Sequence, residues 1–96
     1  MQVQVRLFPP LNTTAGRSLV TVPLDGEATI QAVIDALVEE YGPQFRRHLY
    51  DLEERIIPAW SVFVGGRPVQ LNRAENLATA VAEGEELAFI LNIAGG

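Results

Sequence analysis

Residues 29–43 restrict the fold of this chain more than any other stretch. Thr29 is followed by Ile30, Val33, Ile34, Leu37, Val38 and Tyr41, an unbroken i, i+3, i+4, i+7, i+8, i+11 apolar stripe that an α-helix gathers on one side. Thr29 can cap the helix, and Gly42-Pro43 stops it. Asp25 and Glu27 precede its start, where the helix dipole favours negative charge. One long helix with one apolar face must bury that face on another layer. The flanking segments supply it, because their apolar period is two. In residues 1–8, Val3, Val5 and Leu7 take one face and Gln2, Gln4, Arg6 and Phe8 the other, and Pro9-Pro10 ends the strand. After a loop through Asn12 to Gly16, residues 18–24 (Leu19, Val20, Val22, Leu24) read as a second strand, antiparallel to the first.

Beyond the helix, residues 44–58 carry Phe45, Leu49, Leu52 and Ile56 at roughly helical spacing among many charges, which predicts an irregular, partly helical crossover. Trp60, Val62 and Val64 then alternate with Ser61 and Phe63, and Gly65-Gly66 turns the chain into residues 67–71 as a second hairpin. Residues 77–81 suit a short helical turn, and Gly84-Glu85-Glu86 leads into a last strand at 87–93. The order predicts an α+β fold: a mixed sheet of about five strands with one main helix packed across it. Ninety-six residues suffice for one domain, 1–96, with 93–96 expected as a flexible C-terminal diglycine tail.

Several chemistries are excluded by residue type. Cysteine is absent, which removes disulfides, thiolate metal sites and cysteine nucleophiles. The single histidine, His48, cannot make a metal site alone and reads as a solvated surface residue. A formal charge of −5 opposes nucleic-acid binding and suits an electropositive protein partner. No apolar run approaches the ~20 residues of a membrane span, and strand-like alternation begins at once rather than a signal peptide, so a cytoplasmic location is expected. The Asn12-Thr13-Thr14 sequon is then accidental. Glu83, Glu85 and Glu86 read as a solvated polar loop. All seven basic residues are arginine, so without lysine only the Met1 amine could accept an acyl group.

Functional interest falls on the end, Ile93-Ala94-Gly95-Gly96. Glycine is costly to order, so a terminal pair does little for stability, yet without Cβ atoms it can thread a narrow channel and present a carboxylate to an activated phosphate. A frayed end is the plain alternative. Strand alternation also sends Phe8 and Ile90 outward, while Leu87, Phe89 and Leu91 face in; with Pro68 they would form an apolar docking patch beside the base of the tail.

These residues resemble a known family. Val5-Arg6-Leu7-Phe8 followed by Ala15-Gly16-Arg17, the helix, Val62-Phe63-Val64-Gly65-Gly66-Arg67, Ala82-Glu83-Gly84-Glu85-Glu86-Leu87 and the terminal Gly-Gly are similar to the MoaD/ThiS-like sulfur carriers. These are ubiquitin-like β-grasp proteins typified by the small subunit of molybdopterin synthase and the thiamine-pathway carrier. The resemblance covers nearly the whole chain. It departs where family members commonly carry Pro-Pro before the tail, since Leu91-Asn92 stands here.

The resemblance implies a cosubstrate rather than an enzyme. Gly96 would be adenylated by a ubiquitin-activating-type enzyme using ATP and Mg, and a sulfur donor would then displace AMP. The resulting thiocarboxylate would pass sulfur to a synthase large subunit or another sulfur-accepting enzyme. Gly95, Ala94 and Ile93 would thread the active site, and Phe8, Pro68 and Ile90 would bind the partner. No cofactor or metal is expected on this chain, nor any nucleic acid or membrane. The longer crossover at 44–58 leans towards the molybdopterin type over the thiamine type, with carriers for cysteine or tRNA thiolation also open. A ubiquitin-like modifier joined to other proteins through Gly96 is the second reading, and an interaction domain with an idle diglycine the third.

Overall fold

The computed structural model describes residues 1–92. Its elements are β1 (Gln2–Leu7), α1 (Leu11–Ala15), β2 (Leu19–Pro23), α2 (Ile30–Tyr41), α3 (Pro43–Leu49), β3 (Trp60–Val64), β4 (Arg67–Gln70), a 3-10 turn (Ala74–Ala78) and β5 (Glu86–Leu91). The strands form one five-stranded mixed sheet in the order β2-β1-β5-β3-β4. β1 and β2 pair as an antiparallel hairpin, as do β3 and β4, and β5 joins them, parallel to β1 and antiparallel to β3.

Alternation sorts the sheet into two faces. Val3, Val5, Leu7, Val20, Val22, Val62, Val64, Leu87 and Phe89 point inward, where they meet Ile30, Val33, Ile34 and Leu37 of α2 in one core. The Thr29 hydroxyl accepts from the Ala32 amide at 3.1 Å, which satisfies one of the donors left free at the helix start. Gly42, at φ +88°, ends α2 in a backbone conformation that side-chain-bearing residues rarely adopt, and Pro43 opens α3 without needing an amide partner. The strand Cβ periodicity and the helix stripe thus place the inward-facing apolar residues of sheet and helix in the same layer.

Three segments differ from their sequence reading. The loop at Asn12 to Gly16 contains a helical turn, α1. Its sequence, Leu-Asn-Thr-Thr-Ala, has little helix propensity and is too short to be stable alone. It is held instead by fully buried Leu11 and by a 2.9 Å hydrogen bond between Thr14 Oγ1 and His48 Nε2 in α3. His48 is therefore half-buried rather than on the solvated surface, and its carbonyl also accepts from Trp60 Nε1 at 2.7 Å.

In the crossover, Phe45 and Leu49 sit in the core on α3, with the Tyr41 and Phe45 ring centroids 5.5 Å apart. The helical spacing then fails: Leu52 is fully exposed in a turn where Asp51 Oδ1 accepts from the amides of Glu53 and Arg55, and Ile56 re-enters the core through the non-helical chain. Finally, the turn expected at 77–81 lies earlier, at Ala74–Ala78. Residues 79–81 are extended because the Val81 amide donates to the Ala28 carbonyl at 2.9 Å and the Ile30 amide to the Thr79 carbonyl at 3.1 Å.

Phe45→Ala should lower unfolding free energy by about 3–5 kcal/mol, because it empties a buried aromatic site. Leu52→Ala should change it by less than about 0.5 kcal/mol. Urea denaturation of both variants checks this, and equal effects would contradict the placement of the crossover.

Candidate functional site

The face of the sheet opposite α2 gathers residues from four strands. Register places Arg6, Ala88, Phe63 and Pro68 side by side across β1, β5, β3 and β4. The next outward-facing row aligns Ile90 with Ser61 and Gln70, and continuing the β1–β5 register brings Phe8 beside Ile90. Phe8 is 38% exposed, Phe63, Ala88 and Ile90 are half-buried, and Pro68 is exposed. None of the five packs into the core, so together they form an apolar strip on the outer face, where Leu19 of β2, beside Arg6 and 46% exposed, adds a further apolar residue.

Phe8 and Ile90 are thus brought together as expected, beside the strand that ends the described chain. Pro68 is not adjacent to that end. It lies two strands away from β5 and one row back, and it joins the strip only through Phe63 and Ala88. Phe63 and Ala88 were not singled out from the sequence as binding residues. The signal for Phe63 was present, since its alternation with Val62 and Val64 already sends it outward; Ala88 is too small to draw attention without the register.

Charges frame the strip in pairs. Arg6 Nε donates to Glu86 Oε1 at 2.8 Å, and Arg67 lies 3.4 Å from Glu85 Oε2. The other Glu85 oxygen accepts from the Ala82 amide at 2.8 Å, closing the turn before β5. Glu85 and Glu86 are therefore engaged in specific contacts rather than members of a freely solvated acidic loop. Both ion pairs are largely exposed, so each contributes no more than about 1 kcal/mol. Glu85 also limits the hairpin turn: a Cβ on Gly65, whose φ is +56°, would come within 2.7 Å of Glu85 Oε2.

At the root of the tail, the Asn92 amide donates to the Ala59 carbonyl at 2.8 Å, and its Nδ2 donates to Ser61 Oγ at 2.7 Å. Ile93, Ala94, Gly95 and Gly96, the residues expected to thread and react, lie outside the described residues. Among the described residues no group of three or more His, Cys, Asp or Glu side chains is placed to hold a metal ion, and no helix is long and apolar enough to cross a membrane.

Sheet order, register and the helix across one face define a ubiquitin-like β-grasp fold. Solved structures agree across essentially the whole chain. SAMP1, a small archaeal modifier protein from Haloferax volcanii, superposes with a TM-score of 0.81 at 28% identity, covering 100% of both chains. CysO in the BexX/CysO complex of Amycolatopsis orientalis gives 0.74 at 23% identity, covering 98% of this chain and 99% of that one. Subunit 1 of a molybdopterin converting factor from Pyrococcus furiosus, itself a provisional assignment, gives 0.69 at 16% identity over 97% and 99%. No protein-family model matches the sequence, and no curated protein matches it significantly. The chain resembles these ubiquitin-like proteins in fold and length.

Asp substitutions on neighbouring residues of β3 test the two faces. Val62→Asp places a carboxylate in the core and should abolish the folded state, whereas Phe63→Asp should leave a folded protein destabilised by about 1–2 kcal/mol. Circular dichroism with urea titration reads both, and a folded Val62→Asp variant would contradict the assigned register.

Proposed function

We propose that this protein is a sulfur carrier whose C-terminal glycine is activated and then loaded with sulfur. The observation that carries the proposal is the continuity of the apolar strip with the root of the Gly-Gly tail. Phe8 and Ile90 flank the end of β5, and Asn92 follows directly. A partner that covers the strip therefore holds the point from which the tail departs, so docking energy is converted into placement of the reacting end. The fully extended reach from Asn92 to Gly96 is at most about 14 Å, which sets how deep the partner's active site can lie below its docking surface.

The chemistry follows from what a carboxylate can and cannot do. Ionised at neutral pH, the Gly96 carboxylate is a poor acyl donor and needs a leaving group. Its oxygen attacks the α-phosphorus of ATP, pyrophosphate departs, and sulfide then displaces AMP from the acyl carbon to leave a thiocarboxylate. ATP and Mg belong to a ubiquitin-activating-type enzyme, so this chain acts as a cosubstrate rather than a catalyst. Gly95, Ala94 and Ile93 thread, Gly96 reacts, and Phe8, Phe63, Pro68, Ala88 and Ile90 dock. The acceptor is a synthase large subunit or another sulfur-accepting enzyme. A molybdopterin-type pathway is favoured by the longer crossover at residues 44–58. The complex of CysO with BexX gives a precedent for a protein of this fold assembling with a partner. These steps are assigned to the cytoplasm.

A second reading, conjugation of Gly96 to lysines of other proteins, is favoured by likeness to a structure named as a modifier. It shares the adenylation step and differs only in the acceptor.

Protein isolated from its own host should carry a thiol-reactive group at Gly96, detected by alkylation followed by intact mass and peptide mapping. Alkylation is required because exchange of oxygen for sulfur adds about 16 Da, nearly the same as methionine oxidation. The chain contains no cysteine, so any label reports acquired sulfur. Only free carboxylate, even after supply of adenylating enzyme, ATP and sulfide, would exclude the carrier role, and higher-mass conjugates lost on deletion of Gly96 would favour the modifier. Ile90→Asp should stay folded yet weaken binding to the adenylating enzyme more than about ten-fold, measured by calorimetry, as expected for a residue central to a docking strip.

A further inference from the structure

Ser61 is the buried polar side chain found among the described residues, at 5% exposure, and it faces the outer side of the sheet between Ile90 and Gln70. A buried hydroxyl without a partner is costly. Its partner is Asn92, whose Nδ2 donates to Ser61 Oγ at 2.7 Å from 31 residues further along the chain. The Asn92 amide donates to the Ala59 carbonyl at 2.8 Å. Two bonds, one from the backbone and one from the side chain, thus tie the residue after β5 to two positions at the start of β3. Trp60 lies between them, fully buried and paired with Leu91, so the anchor is as rigid as the core.

From this geometry we infer that Asn92 and Ser61 form a latch that sets the direction in which residues 93–96 leave the sheet. Fixing position alone would require only the bond to Ala59. Fixing direction requires a second bond off the first one's axis, and the side chain supplies it by reaching back along the outer face. Turning the exit by a right angle would displace the end of a four-residue extended tail by more than its own length of about 14 Å. A reacting carboxyl must arrive within about 3–3.5 Å of the phosphorus, so the exit angle contributes to the rate even when docking is unchanged. Asn92 and Ser61 are accordingly positioning residues, with no contact to the reacting atoms required of them. Their role rests on the acyl-activation step proposed above.

The test compares wild type, Asn92→Ala, Ser61→Ala, the double variant and Asn92→Asp in ATP–pyrophosphate exchange by the host's adenylating enzyme, with Kd for that enzyme measured separately. Each alanine variant should lose about five- to ten-fold in kcat with Kd unchanged, the scale of one hydrogen bond converted to rate. The double variant should be no worse than either single one, because the two residues make one bond. Asn92→Asp should restore most of the rate, since a carboxylate can accept from the Ser61 hydroxyl in place of the lost donor. Wild-type kcat in both alanine variants, additive losses, or a loss confined to Kd would each overturn the latch.

A second readout needs no enzyme. Ser61→Ala should speed hydrogen exchange of the Asn92 amide about five-fold or more, while the Val62 and Phe89 amides stay protected. Unchanged exchange at Asn92 would also overturn the latch. If wild type itself fails to support pyrophosphate exchange, the activation reading falls and the latch loses its purpose, whereas activity in wild type with unaffected variants removes the latch alone.

Discussion

The fold depends on the insertion of β5 between β1 and β3. Each hairpin is local, closed within its own half of the sequence by residues 8–18 in the first and by Gly65-Gly66 in the second, but a two-stranded hairpin is marginal by itself in water. Only β5 converts the pair of hairpins into one sheet, by a parallel ladder to β1 from Gln4–Glu86 to Leu7–Phe89 and an antiparallel ladder to β3 from Trp60–Leu91 to Val64–Leu87. Both ladders present Leu87 and Phe89, wholly buried, to α2. The helix face, the two hairpins and the crossover therefore converge on the last strand of the described chain. Contacts of such long sequence separation are slow to form, because loop closure must precede any gain from packing.

That dependence also links stability to function. A strand central to the sheet is the most rigid support the fold has, and the Gly-Gly segment departs from its end. The inner residues of β5 hold the domain together, while Ala88 and Ile90 on the same six-residue strand contribute to the apolar strip on the outer face. Alternation at a period of two lets one strand serve both purposes with no residue shared between them. The same division recurs on β3, where Val62 is core and Phe63 is surface.

The period-two and period-3.6 patterns made the five strands, the main helix and most of the core legible, because burial on one face leaves a repeating signature. What escaped had no repeat to leave. α1 is a single turn too short to be stable alone, held by Leu11 and by Thr14 on His48. Leu52 kept helical spacing but fell in a turn dictated by the Asp51 side chain. Alternation places Pro68 on the surface, yet its distance from the end of β5 depends on strand order, which pairing alone reveals. The link between Asn92 and Ser61 joins residues with no local relation and could not be read from the sequence. Gly96 was singled out for its chemistry, a property of the covalent chain rather than of its folding.

The apolar strip has a colloidal consequence. An apolar face left bare is available to a second copy of the chain. Direct opposition of two such faces would bring two bodies of charge −5 together. At physiological ionic strength that repulsion extends over about 8 Å, enough to be felt before apolar atoms touch, but near 1 M salt it contracts to about 3 Å. The acidic surface thus works as a salt-dependent spacer between copies of the chain, one whose reach shortens as ionic strength rises.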